Sequence, residues 1–238
     1  FDFEFYQNDR NLGLNQTLEI GLKKAKAKHV SILASDDLFL AGRIDTQLDC
    51  LLEGGLDGCY SKSIFYDQAS NVTGKSDLYL FQSKLRKSQH EAFKFAAVDD
   101  TNGPLLQSGA FKTSVLRSLS ELRKKYKSDD WVILLAMLKD YKIGFVDAHH
   151  LGYRLHSTNS HSDYMKMFHY RLDVIANYVA PISSKLALIS LSNLFFSHSR
   201  RLFINKRYFL GIRFLVASCF LHFPGPKILN IFKRYVNG

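Results

Sequence analysis

Two adjacent carboxylates follow an apolar segment that has the character of a buried strand. Asp36 and Asp37 come directly after the apolar run at residues 30–34. Like charges this close repel each other, and a hard divalent cation with oxygen ligands would compensate for that repulsion. The sequence Ser-Asp-Asp is also typical of a solvated turn. The pair alone therefore leaves both a metal site and a turn open.

Helices and strands alternate around this pair. We predict one helix with Asn15 as its N-cap, and a second that carries apolar residues from Ile44 to Leu52 and stops at Gly54. The other predictions are strands at 1–5, 30–34, 59–66, 142–146 and 151–155, helices at 114–122 and 130–138, and a turn-rich loop at 71–77. This alternation predicts an α/β domain with a largely parallel sheet, in which ligands sit at the carboxyl ends of the strands.

The net charge of +10 is concentrated near the C-terminus. Residues 174–238 contain no Asp or Glu and nine of the 32 Lys and Arg residues, which leaves 23 basic against 22 acidic residues before them. The almost neutral first part argues against a nucleic-acid-binding core. The basic tail instead indicates contact with an anionic partner.

The three cysteines indicate the redox compartment of the protein. Cys50, Cys59 and Cys219 are an odd number without metal-ligand spacing. A disulfide framework is therefore not expected, and a reducing compartment fits best.

The sequence begins at Phe1, without Met and inside a predicted strand, so we expect it to be part of a longer protein.

Several short motifs occur in the order and spacing of one enzyme family. They are Asn11-Leu12-Gly13, a following helix, the apolar strand before Asp36-Asp37, and Arg43-Ile44 with Gln47 beyond. Together they resemble the family 2 glycosyltransferases over residues 7–160. The resemblance implies a GT-A-like (Rossmann-like) α/β fold with a mostly parallel sheet flanked by helices. It also implies metal-dependent, inverting transfer of a hexosyl group from a nucleotide-diphosphate sugar, in the biosynthesis of cell-surface polysaccharide or lipopolysaccharide.

The resemblance assigns roles on the donor side. Asp37 would hold Mg²⁺ or Mn²⁺ against the donor diphosphate, and Asp36 would contact the ribose or share the metal. Asn11 and Gly13 would bind the nucleotide sugar. The cation would neutralise charge that grows on the departing diphosphate. Arg43 would either bind the same phosphates or form a salt bridge with the acidic pair.

A second group of motifs resembles the acceptor side of the family. Gln107, Ser108 and Gly109 would form the acceptor loop, followed by a pair of acids that opens a helix. Asp130 is the favoured general base and Asp129 the second choice, because an acceptor hydroxyl must lose its proton as it attacks. Helix capping explains the same two acids. The chain's one tryptophan, Trp131, would line the acceptor pocket or lie in the core.

The segment from Tyr153 to Ser160 resembles a Tyr-Arg-x-His motif that ends the family's catalytic domain. His156 would be a metal ligand or a diphosphate contact. Arg154 would bind phosphate or a charge on the acceptor. Taken alone, a segment so rich in histidine is more typical of a polar surface loop.

We expect two regions: an N-terminally incomplete GT-A-like catalytic domain at 1–160 and a helical, basic region at 161–238. The apolar stretches 184–196 and 208–223 are interrupted by polar residues and do not give a clean membrane span. They predict helices that lie on an anionic membrane, or else a helical subdomain packed on the core. The first alternative implies a cytoplasmic enzyme that is peripheral on the inner face of the cell membrane, with a glycan or lipid-linked acceptor and no nucleic acid.

Two other functions fit parts of the sequence. A nucleotidyltransferase also combines carboxylates, a metal and a nucleotide in an α/β fold, but it should carry a Gly-rich, basic phosphate loop near its start, and none is visible here. A non-catalytic module that binds membrane or nucleic acid would use the basic tail. The neutral first 173 residues count against nucleic acid.

Overall fold

The computed structural model describes residues 3–99, 101–126, 129–156 and 163–221. They fall into two compact units. The first comprises the described residues of 1–77 and 104–156, and the second those of 78–103 and 157–238. The strands all lie in the first unit, and the described part of the second unit is helical.

The secondary structure runs as follows in chain order. The strands are β1 His29–Ser31, β2 Leu38–Phe39, β3 Gly58–Tyr66, β4 Val72–Lys75, β5 Ala110–Lys112 and β6 Ile143–Arg154. The helices are α1 Leu14–Lys24, α2 Arg43–Glu53, α3 Tyr79–Lys87, α4 Gln89–Val98, α5 Thr113–Ser118, α6 Ser120–Lys125, α7 Asp129–Asp140, α8 Tyr164–Val174, α9 Ala180–Ile182, α10 Ser184–Ile204 and α11 Tyr208–Leu221. A 3₁₀ turn occupies Leu106–Ser108.

The first unit is an α/β structure, consistent with a Rossmann-like fold, but its sheet is mixed. The strand order is β1-β5-β3-β6-β2, with β4 also paired to β3. Among these pairs β3 and β6 are parallel, and the other pairs are antiparallel. The prediction of a mostly parallel sheet is therefore wrong. The five residues 67–71 between β3 and β4 are too few for the crossover that parallel neighbours need, so they form a hairpin instead.

Local patterns identified most elements of this unit, with some differences. Helix α2 and strand β3 lie where they were expected. Helix α1 begins two residues earlier than expected, because Gly13, at φ 76°, is its N-cap in place of Asn15. The side-chain amide of Asn15 donates instead to the backbone oxygen of Arg123 at 3.1 Å. The two strands predicted at 142–146 and 151–155 are one strand, β6. The expected loop at 71–77 contains β4, and residues 3–8 form no strand.

The buried face of helix α2 carries two polar side chains. Its buried residues are Arg43, Gln47 and Leu51, at the i, i+4 and i+8 spacing of one helix stripe, whereas Ile44 and Leu52 are exposed. The stripe packs against the sheet, where Leu51 meets a buried cluster with Cys59 and Ala110. Two polar side chains are therefore carried into the interior, where each needs hydrogen-bond partners.

In the second unit, α10 and α11 form a helical hairpin, and α10 also packs against α4. An aromatic cluster of Phe168, Phe195, His198 and Phe214 joins α8 to this hairpin, with ring centroids 4.4–6.0 Å apart. Among the helices of the described ranges, none combines the length and the apolar character that crossing a bilayer requires.

Candidate functional site

Asp37 lies at the turn between β1 and β2, beside the end of β6. Its backbone N–H donates to the carbonyl of Ala34 at 3.1 Å, which closes the turn. Its Oδ1 accepts a hydrogen bond from the backbone N–H of Arg154 at 3.0 Å. The residue is only 6 % exposed, and its buried Oδ2 has no hydrogen-bond partner. Burial raises the pKa of Asp37, and the charge of Asp36 raises it further.

Asp36 is held by the two residues predicted from the Tyr-Arg-x-His motif. Its Oδ2 lies 2.6 Å from Nε2 of His156, and this hydrogen bond is the main reason why the pKa of Asp36 is lowered. Nε of Arg154 donates to the backbone oxygen of Asp36 at 3.0 Å. Nη1 of Arg154 donates to the backbone oxygen of Asp67 and to the hydroxyl of Ser70. The structure thus brings Asp36, Asp37, Arg154 and His156 together at one edge of the sheet.

Arg43 is buried, with 1 % of its surface exposed, and its guanidinium is directed at the predicted acceptor loop. Nη2 donates to the backbone oxygen of Gly109 at 3.1 Å and also to that of Gln107. The guanidinium carbon lies 4.1 Å from the centre of the Phe39 ring. Burial lowers the pKa of Arg43 to about 10, while the charge of Asp37 acts to raise it. Arg43 therefore links the acidic edge to the loop at 107–109.

Gln47 and Ser61 complete the support of this loop, and sequence reasoning did not single out either as a site residue. Nε2 of Gln47 donates to the backbone oxygen of Ser108 at 2.6 Å, and the hydroxyl of Ser61 donates to the same oxygen at 2.9 Å. Oε1 of Gln47 accepts from Nε of Arg43 at 3.2 Å. Gln47 does belong to the motif that begins at Arg43. Its spacing is a further signal, because a polar residue four positions after Arg43 shares its helix face.

Helix α7 carries the predicted general base and packs against the 106–108 turn. The charge of Asp130 acts on Tyr60, a fully buried residue of β3 whose pKa is raised mainly by burial. Asp129 is the first residue of α7, and its side chain lies outside the described part of the structure. Trp131 is buried. Asp130 is thus close enough to the sheet for its charge to act on Tyr60, the neighbour of Ser61 in β3.

Asn11 and Gly13 make a local contact at the start of α1. Oδ1 of Asn11 accepts from the backbone N–H of Gly13 at 2.9 Å, and this bond shapes the start of α1. Within the described ranges, neither residue hydrogen-bonds to Asp36 or Asp37. An open cleft of about 690 Å³ lies next to them, lined by Tyr6, Gln7, Asn8, Asp9, Arg10, Leu12, Ile20 and Lys24.

The acidic edge fits a cation that takes part of its ligands from a substrate. Among the described residues, no three His, Cys, Asp or Glu side chains are arranged to hold a metal by themselves. Mg²⁺, however, is usually bound by one or two carboxylates together with substrate phosphates and water. The orphaned Oδ2 of Asp37 and the neighbouring Asp36 meet that requirement. His156 is already hydrogen-bonded to Asp36.

Comparison with known proteins gives one distant similarity. The sequence is 24% identical over 170 residues to a protein of Methanocaldococcus jannaschii that is named an uncharacterized glycosyltransferase. The match covers 68% of this chain and 54% of that protein, so the chain spans about half the length of the relative. No protein-family model matches the sequence.

Proposed function

We propose that this chain is a metal-dependent glycosyltransferase that moves a hexosyl group from a nucleotide-diphosphate sugar to an acceptor hydroxyl. The observation that carries the proposal is the buried, unpaired Oδ2 of Asp37 beside Asp36, at the edge where Arg154 and His156 converge. The distant similarity to a protein named as a glycosyltransferase supports the same reaction class.

On the donor side, the residues orient two carboxylates with different partners. The Arg154 N–H holds Oδ1 of Asp37, while Oδ2 has no hydrogen-bond partner. His156 holds one oxygen of Asp36. Mg²⁺ or Mn²⁺ bound here would neutralise the charge that develops on the leaving diphosphate. The two carboxylates would hold that cation. The negative charge of Asp37 also acts on Arg43, the residue that holds the loop at 107–109.

On the acceptor side, the loop at 107–109 would orient the acceptor, and Asp130 would act as the general base. Arg43, Gln47 and Ser61 fix the backbone of this loop through buried hydrogen bonds, so its position is set before substrate arrives. Asp130 would take the hydroxyl proton as the oxygen attacks the anomeric carbon. Direct attack from the face opposite the leaving diphosphate gives inversion. The resemblance to the family supports a glycan or lipid-linked acceptor from surface-polysaccharide biosynthesis.

Thermal unfolding of the intact chain with a panel of nucleotide sugars tests this function. With Mn²⁺ present, we expect one nucleotide class to raise the midpoint of unfolding by several degrees, because a ligand that binds only the folded state stabilises it. The matching nucleoside monophosphate, which lacks the diphosphate, should have little effect. If no nucleotide sugar shifts the midpoint with Mn²⁺ or Mg²⁺, the proposal is wrong for this chain.

A further inference from the structure

The two most buried residues of α11, where it packs on α10, are small. Gly211 and Ser218 are its buried residues. The hydroxyl of Ser199 donates to the backbone oxygen of Gly211 at 2.8 Å, and that of Ser192 donates to the backbone oxygen of Ser218 at 2.9 Å. Ser218 returns a bond of 2.8 Å to the backbone oxygen of Ser192. The two helices therefore meet through small and hydroxyl side chains on one line, and through the contacts of Phe214 with Phe195 and His198 beside it.

The opposite face of α11 is a stripe of large apolar side chains. Phe209, Ile212, Val216 and Phe220 follow at intervals of three and four residues, so they share one side of the helix. All four are exposed, with Phe209 at 75 % and Phe220 at 88 %. We call this set the α11 stripe. Tyr208 and Ile204, which are also exposed, lie at its N-terminal end.

The outer face of α11 is unusual for a helix in water. A surface helix normally turns its large apolar residues toward the core and its small and polar residues toward solvent. Phe214 does pack inward, but the four residues of the α11 stripe are exposed while the small residues Gly211 and Ser218 are buried. An exposed apolar surface of this kind marks an interaction site. The α11 stripe therefore indicates an apolar partner for the outer face of the helix.

The basic residues around the α11 stripe favour an anionic partner. Arg213 lies among the four apolar residues in sequence and is exposed. Four further exposed basic residues lie at the turn between the two helices or just before it: Arg200, Arg201, Lys206 and Arg207. No acid occurs anywhere in residues 174–238 to neutralise them. Basic side chains beside an apolar stripe are the pattern of a helix that lies in an anionic membrane interface.

The part of α11 that the structure describes is long enough to lie on a membrane and too short to cross one. The 14 residues of α11 extend about 21 Å, which is shorter than the roughly 30 Å of a bilayer's hydrocarbon core. A helix of this length can bury one face at the boundary between headgroups and acyl chains.

We propose that the α11 stripe docks on the surface of an anionic lipid bilayer. Its four apolar side chains enter the acyl boundary, and Arg207 and Arg213 contact lipid phosphates. The proposal rests on the packing and charge of the second unit and does not depend on the glycosyltransferase function. Failure of one proposal therefore leaves the other intact.

Co-sedimentation of the intact chain with vesicles tests the docking. We expect it to pellet with vesicles of phosphatidylglycerol and phosphatidylcholine, and much less with phosphatidylcholine alone. The double variant F209S/F220S should bind at least about tenfold more weakly, because two large apolar side chains no longer leave water. The matched control is Y79S/L80S, which removes two exposed apolar residues of α3 and should pellet like the unmodified chain. Circular dichroism should show the same helix content for all three proteins.

Other outcomes would overturn the proposal. If the intact chain does not pellet, or if F209S/F220S pellets as well as the control, the α11 stripe does not bind lipid. If F209S/F220S instead converts a dimer into a monomer in analytical ultracentrifugation, and vesicles do not compete, then a second copy covers the α11 stripe. If pelleting appears only after residues 222–238 are removed, that segment covers the α11 stripe in the intact chain.

Discussion

The backbone N–H of Arg154 donates to Oδ1 of Asp37 at 3.0 Å, although 117 residues separate them in the chain. The contact exists because β2, which follows Asp37 directly, pairs antiparallel with the end of β6, with Leu38 opposite Gly152. A sheet hydrogen-bonding pattern thus orients the carboxylate and leaves its second oxygen for a ligand. This relationship is the structural basis of the proposed donor site.

Replacing the proposed general base should reduce turnover without reducing donor binding. We expect Asp130→Asn to lower kcat on the order of 10²-fold or more, because the amide cannot accept the acceptor's proton. The measurement is the rate of nucleoside diphosphate release with donor and acceptor present, together with donor affinity. Asp129→Asn is the matched comparison. If it is the crippled variant, the roles are exchanged, and if both variants stay active, the base lies elsewhere.

Loss of the Arg43 guanidinium should destabilise the first unit. Arg43→Met keeps an apolar stem but leaves the buried backbone oxygens of Gln107 and Gly109 without a donor. We expect the free energy of unfolding to fall by about 2–4 kcal/mol, the cost of leaving buried polar groups unpaired. Urea unfolding measures this, with Arg86→Met on the exposed face of α3 as control. Equal effects of the two changes would show that Arg43 does not hold the loop.

A buried ion pair between α1 and α6 should make stability depend on pH. Arg123 is fully buried and donates from Nε to Oε1 of Glu19 at 2.9 Å. Burial alone raises the pKa of Glu19, but hydrogen bonds from Ser120 and Arg123 outweigh it, and the net pKa is lowered. A lowered carboxyl pKa adds stability above the pKa of the unfolded chain, and this stability is lost as pH falls through the folded-state pKa.

Glu19→Gln therefore should remove part of the acid sensitivity. We expect it to lower the unfolding free energy at pH 7 on the order of 3 kcal/mol, because Arg123 keeps a buried charge without its partner. The difference between variant and unmodified chain should begin to shrink as the pH falls below about 4.3, the pKa of an unfolded Glu, and should go on shrinking as the pH falls through the lowered folded-state pKa of Glu19. Glu121→Gln, at an exposed pair with Lys124, is the control. A difference independent of pH would contradict the assignment.

Short-range patterns in the sequence were sufficient to predict the positions of several helices and strands. Apolar periodicity and Gly54 located α2, and the segment at 59–66 was predicted as the strand that became β3. Strand direction could not be read in this way, because β5 pairs antiparallel with both β1 and β3 across long stretches of chain. No local pattern indicated that residues 78–103 join the C-terminal helices in one unit.

The sequence named four residues of the acidic edge but not the contacts that hold them together. The motifs named Asp36, Asp37, Arg154 and His156, which the structure brings together. The sequence could not show that Arg43 turns inward, since Ile44 looks like the core residue of α2 and is exposed instead. A buried Arg is tolerated here because backbone oxygens of a distant loop accept its hydrogen bonds, and that requirement of tertiary structure leaves no trace in local sequence.

Metal-dependent nucleotide binding tests the central proposal most directly. Isothermal titration of the nucleoside diphosphate identified in the donor panel, with and without Mn²⁺, should be measured for the unmodified chain, for Asp37→Asn and for Asp49→Asn. Asp49 is an exposed acid of α2 and controls for the loss of one charge. We expect Mn²⁺ to strengthen binding to the unmodified chain and to Asp49→Asn, and to have no effect on Asp37→Asn, which should still be folded. An unchanged Mn²⁺-dependent affinity in Asp37→Asn would contradict the assignment of Asp37 as the residue that holds the cation against the diphosphate.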